Sequence, residues 1–349
     1  MFLVSKTCTR VSRIPEDFGY RHLHFKYQRD PVDVIAISAK GEERIAKPLL
    51  LFCQHSLPQP VIRYDAQGLH PVLPFDAEPF LHRYHIVIIG KPFIPVIADT
   101  NKLGEQHLFR SSFDHKLPPR EFTARNYLDY YVFRNNFILK QLFKERWVKT
   151  SDLVVAGHGD GSSISVRMAL QNSKITGLVY SGANPYGPAA ALLAAGLAEQ
   201  RRAELMTAWQ QVVANRDVLS NCEGGSYKGV YSFSLPQNEA LLSLRIPVLI
   251  TYDAADPALP LLDLFRIGAI TANRDNIVFR GCTANAFKAV PTVKRRPGAA
   301  RVPQWESVVQ QWLGSMRQAV LKGDAVAEQE RFRLPAQQGQ QNCYSSSSS

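Results

Sequence analysis

At 349 residues, with 45% hydrophobic and 20% charged side chains, the chain has room for one large α/β domain with insertions, and its composition is that of a soluble globular protein. No apolar run approaches the about 18 residues of a membrane span. The formal net charge of +11 comes from dispersed basic residues, with Lys294-Arg295-Arg296 the one cluster of three. No nucleic-acid motif accompanies it, so it reads as a basic solvated surface and no nucleic-acid partner is expected.

Residues 1–19 read as an N-terminal extension. Met1 to Pro15 scatters Lys6, Arg10 and Arg13 among polar residues with no apolar h-region, so no signal peptide is expected and the default location is cytoplasmic. From Tyr20 to Tyr27, Arg21, Leu23, Phe25 and Tyr27 alternate with His22, His24 and Lys26, as in an exposed strand. Val32–Ile37 is a second strand. The runs Pro48–Cys53 and Tyr84–Gly90 are continuous and apolar, as strands covered on both faces are. His55 to His82 is proline-rich and reads as an irregular connection, and residues 91–118 read as loops. Arg120 to Trp147 carries Tyr127, Tyr130, Tyr131, Phe133, Phe137, Ile138 and Leu142 at near-helical spacing, which predicts one long amphipathic helix with its aromatics toward the core.

Leu153-Val154-Val155-Ala156 is a short strand that runs into Gly157-His158-Gly159-Asp160-Gly161 and a helix starting near Ser162. Strands follow at Ile175–Ser181, Arg245–Tyr252 and Asn276–Arg280, and Trp305 to Leu321 reads as a closing helix. Strands alternating with helices imply a mostly parallel sheet. Residues 182–244 interrupt the alternation with the alanine-rich helical stretch Ala189–Asn215, and residues 323–349, which end in five serines, read as a disordered tail. Cys8, Cys53, Cys222, Cys282 and Cys343 have neither disulfide nor metal spacing, and Cys53 and Cys282 are expected as small buried hydrophobes. No His/Glu/Asp set has metal-ligand spacing, so neither metal nor cofactor is expected.

The strand, sharp glycine turn and helix at 153–163 resemble the nucleophile elbow of the α/β-hydrolase family, whose pattern is Gly-x-Ser-x-Gly, most closely in its serine-peptidase and esterase-like branches. The frame Gly157-x-x-x-Gly161 is intact, but Gly159 stands at the serine position. The resemblance covers residues 20–322. It implies an α/β-hydrolase core over 20–181 and 245–322, with helices flanking a mostly parallel sheet and a helical cap at 182–244 between the sixth and seventh strands.

It also implies a catalytic order of serine, acid and histidine. Asp256, after the seventh strand, is the candidate acid; an N-cap or turn aspartate before Pro257 is equally compatible. The histidine position falls in the loop after the last strand, where this chain has Ala284-Asn285. All nine histidines lie at or before His158, so none can follow the acid. At the oxyanion turn after the third strand stand Gln54, His55 and Ser56; His55 there would crowd the pocket, change the backbone angles a donor needs or supply a side-chain donor, while a solvated or structural role is the more frequent one for a loop histidine. Around the elbow, His158 and Asp160 join the pocket, Asp160 suiting a helix N-terminus and Ser162 reading as an N-cap. A water-activating His55 or His85 with Asp256 is conceivable. The expected function is a catalytically silent hydrolase relative that binds a small ester- or amide-like ligand or a protein partner. The alternative is an active ester or peptide hydrolase using non-standard residues.

Overall fold

A computed structural model describes residues 13–70, 72–112, 116–219, 221–222, 225–282 and 304–316. The chain divides into two units, residues 1–309 and 310–349, and the first holds the sheet. Eight strands form its sheet: β1 (Arg21–Tyr27), β2 (Asp30–Ile37), β3 (Lys47–Cys53), β4 (His85–Ile89), β5 (Val148–His158), β6 (Gly177–Ser181), β7 (Val248–Tyr252) and β8 (Ile277–Gly281). Their spatial order is β1-β2-β4-β3-β5-β6-β7-β8. β2 runs antiparallel to β1 and to β4, and the remaining neighbours are parallel. This is the α/β-hydrolase fold that the elbow implied.

The apolar runs lie where two-sided burial demands them. Leu49 to Cys53 pairs residue by residue with Leu153 to Gly157 at the middle of the sheet. β1, at the edge, keeps its alternation: Leu23, Phe25 and Tyr27 pack on the core while His24 and Lys26 are exposed.

The segment predicted as one helix is two, α1 (Arg120–Arg125) and α2 (Leu128–Leu142). Asn126 and Tyr127 leave the helical region between them, with ψ of 66° and 155°. The break is held by one contact distant in sequence, the Leu128 N–H donating to Ser232 Oγ at 3.0 Å, and by one local contact, the Tyr131 hydroxyl donating to Asn126 Oδ1 at 2.9 Å. Tyr130 and Tyr131 are buried as expected, but Phe133 and Phe137 are exposed, because helical spacing this dense in aromatics cannot turn all of them inward.

The elbow helix, α3 (Asp160–Gln171), begins two residues before Ser162. Its Ile164 and Met168 enter one core cluster and Val166 the other, while Leu170 in the last turn is exposed. Between β6 and β7 stand α4 (Pro188–Ala194), α5 (Glu199–Ala214), α6 (Tyr227–Ser234) and α7 (Asn238–Ser243). Thus the single alanine-rich stretch is broken between α4 and α5, where Gly196 takes φ +80°. The proline-rich and loop regions contain the paired short strands Ile62–Tyr64 and Ile97–Asp99.

α8 (Leu259–Thr271) follows β7. Residues 305–309 begin the closing helix, where Trp305 is fully buried with its ring 4.5 Å from that of Phe75. Residues 283–290 (including Ala284), 294–296 and 317–349, which hold the expected histidine position, the basic cluster and the tail, lie outside the described residues. Cys53 and Cys282 are free and buried, as expected. No described helix is long and apolar enough to cross a membrane.

Candidate functional site

The site is assembled where β3, β5, β6 and β7 end. Gly159 joins β5 to α3 at φ +57° and ψ −127°, a conformation that costs a side-chain-bearing residue strain. The flanking glycines are fixed by close approach: a Cβ on Gly157 would stand 2.3 Å from the Gly161 carbonyl oxygen, and one on Gly161 only 1.9 Å from that of Cys53. The tip itself is covered by His55. A Cβ on Gly159 would lie 2.5 Å from His55 Cδ2.

Asp160 opens α3, where the helix dipole favours its charge. Its carboxylate accepts from the Ser56 hydroxyl, and its Oδ2 lies 3.1 Å from His55 Nδ1. One carboxylate thus ties two residues of the β3 turn to the elbow, with His55 still half exposed.

Ser162 is not an N-cap. Its hydroxyl donates to the Ser181 carbonyl at 2.7 Å and accepts the Ser181 N–H at 3.0 Å, while the Gly159 N–H donates to the same carbonyl at 3.0 Å. Ser181 Oγ in turn accepts from Thr251 Oγ1 at 2.8 Å. These bonds lock the elbow to β6 and β7.

Two adjoining cavities flank the elbow. One, about 450 Å³, is lined by His158, Asn184, Tyr252, Asp253, Asp256 and Cys282 among others. The other, about 420 Å³, lies between His55, Gly159 and Asp160 on one side and Pro188 and Leu192 of α4 on the other. Asn184 and Asp256 border both. The His158 ring lies against Gly182, and burial, reinforced by His55, pushes its pKa down to about 4, so it is a neutral imidazole at physiological pH. Burial pushes the Cys282 thiol up to about 11, which leaves it a poor nucleophile.

Asp256 takes the turn role held open above: Oδ1 accepts the Ala258 N–H at 2.8 Å ahead of α8. It nonetheless borders both cavities, so the acid role is sterically open. His85 is far from such a part, because its Nδ1 is 2.8 Å from Ser38 Oγ and its Nε2 2.8 Å from the Ile45 carbonyl.

The sequence reading missed two buried cations behind the elbow. Lys91 donates to Gln54 Oε1 at 3.3 Å; burial first, then Arg134 and Arg63, lower its pKa to about 7 against the pull of Asp160. Arg134 donates Nε and Nη2 to Asn135 Oδ1 and lies 5.0 Å from the centre of the Tyr131 ring. A cation inside an otherwise apolar stretch was the available signal: Lys91 follows Ile86–Gly90 directly.

No family model matches this sequence, and no curated protein matches it. Solved structures do. A Pyrococcus furiosus esterase is 11% identical with a TM-score of 0.50, over 87% of this chain and 94% of that one. The likeness to it shows the fold. An acylaminoacyl peptidase from Pyrococcus horikoshii is 13% identical with a TM-score of 0.44; 75% of this chain is covered, and the chain spans 36% of the length of that peptidase. A thioesterase domain from the curacin biosynthetic pathway is 12% identical with a TM-score of 0.41, over 76% of this chain and 94% of that domain. The class defined here is therefore structural: an α/β-hydrolase-fold protein, similar in architecture to a solved esterase.

Proposed function

We propose that this chain binds a small ester- or amide-like ligand on an α/β-hydrolase scaffold without performing acyl transfer by a serine–histidine–acid triad. The observation that carries the reading is the elbow tip, where Gly159 offers no nucleophile and the His55 ring occupies the space a side chain would need. The sequence adds that no histidine follows Asp256, the order this fold uses. Ser163, in the first turn of α3, borders the same cavity, but among the described residues no histidine is hydrogen-bonded to it. Two cavities bordered by carboxylates, an amide and a neutral imidazole remain available to a ligand.

A second reading has its own observation. The His55–Asp160 contact has the geometry of an oriented general base, with Asp160 holding Nδ1 and the ring facing the cavity. Such a dyad could activate water without any nucleophilic residue.

The discriminating experiment incubates purified protein with short- and medium-chain p-nitrophenyl esters and aminoacyl anilides, and measures binding of the same compounds by calorimetry. Saturable binding with no turnover above the blank is expected. Turnover that His55→Ala and Asp160→Asn abolish would assign the protein to the dyad reading; turnover lost in Asp256→Asn would restore a role for the candidate acid. Either overturns the silent reading.

A further inference from the structure

We propose that His22, His24 and Asp33 form a zinc-binding site on the edge of the sheet, remote from the elbow. Sequence spacing alone gives only His-x-His, which an exposed strand can carry for no reason. Strand pairing supplies the third ligand. His22 and His24 are two residues apart on β1 and so share a face, and the antiparallel register sets Asp33 of β2 directly opposite His24. Asp33 Oδ1 lies 3.0 Å from His22 Nε2 and 2.8 Å from His24 Nδ1, and the two imidazole centroids are 4.0 Å apart.

All three donor atoms lie within 4.8 Å of one another. Around tetrahedral zinc with bonds of 2.0–2.1 Å, neighbouring ligand atoms are about 3.3 Å apart. The nitrogen–oxygen separations therefore need to open by only a few tenths of an ångström to accept the ion, a movement within side-chain torsions. The backbone is already placed: the Asp33 carbonyl accepts the Gly90 N–H at 2.7 Å, and the β1–β2 ladder runs from Arg21 to Tyr27 without a break.

The donor set suits the chemistry. Two imidazole nitrogens beside one carboxylate favour zinc over calcium or magnesium, which take all-oxygen ligand sets. Exposure divides the roles: the His22 side chain is 14% accessible and fixes one ligand, while His24 at 72% leaves an entry path and room for a water as fourth ligand. Because β2, β4 and β3 separate β1 from β5, an ion here would not sit in the cavities. It would clamp the exposed edge strand to the sheet.

The test uses the full chain, stripped with chelator and titrated with zinc chloride by calorimetry, with cobalt as a spectroscopic probe. One saturable zinc equivalent, the visible bands of four-coordinate cobalt, and a thermal midpoint that rises with free zinc are expected. His24→Ala, at an exposed position, should fold normally and weaken zinc binding by about tenfold or more, since even loss of an outer-shell partner costs 10–100-fold. Asp33→Asn should weaken it as well. Absence of saturable binding, or unchanged stoichiometry and affinity in both variants, overturns the proposal; the latter would move the ion to other histidines, such as His70, whose Nε2 is 2.8 Å from Asp65 Oδ2.

Discussion

Placing a serine at the elbow tests the geometry of the tip directly. In Gly159→Ser the backbone must hold a side chain at φ +57°, which costs roughly 1–3 kcal/mol. The new Cβ also falls 2.5 Å from His55 Cδ2, so the imidazole must swing away and give up its 3.1 Å contact with Asp160. That contact is partly exposed and contributes about 0.2–1 kcal/mol. Gly159→Ser should therefore destabilise the protein by about 1–4 kcal/mol, whereas in a His55→Ala background the steric part disappears and only the backbone strain remains. Urea unfolding of the wild type, both single variants and the double variant gives the coupling as a double-mutant cycle. A coupling of about 0.5 kcal/mol or more, in the sense that His55→Ala rescues Gly159→Ser, is expected. Strict additivity, or a Gly159→Ser variant as stable as the wild type, would refute a tip strained in backbone and covered by His55. The corollary for introducing a nucleophile is an order of events: His55 has to be trimmed before a serine at 159 can be accommodated.

Two further perturbations read the pH dependence. The folded pKa of His158, about 4, lies below its ordinary 6.5, so between those values the unfolded chain takes up a proton that the folded chain refuses. Stability is then fully retained above pH 6.5 and falls by on the order of 3 kcal/mol toward pH 4; in His158→Asn the unfolding midpoints at pH 7 and about pH 4.5 should lie closer together, and parallel pH profiles would contradict the assignment. Lys91 is likewise depressed, from 10.5 to about 7, so the unfolded chain holds more protons between those values and wild-type stability rises with pH across that window. Lys91→Met, which removes a buried ammonium, should stabilise at pH 7 by on the order of 1–4 kcal/mol and flatten that rise, measured by denaturant unfolding at pH 7 and about pH 9.5; a destabilised Lys91→Met would show that the bond to Gln54 outweighs desolvation.

What the chain determines by itself is its pattern of burial. Continuous apolar runs such as Leu49–Cys53 and Leu153–Ala156 suit strands covered on both faces, and alternation at Arg21–Tyr27 suits a strand with one face exposed. The spacing Gly157-x-x-x-Gly161 marks a turn where backbones touch, and the position of every histidine of the sequence at or before His158 can be counted directly. These are local or countable properties, so they are legible without coordinates. The break at Asn126-Tyr127 was not, because a hydroxyl from Ser232, over a hundred positions away, holds it. Nor were the His55–Asp160 contact, the burial of Lys91 behind the elbow, or the meeting of Asp33 with His22 and His24. Each depends on which strand lies beside which and in what register. Side-chain chemistry and periodicity are written along one dimension, whereas proximity between distant residues is decided only when the sheet closes its pairings.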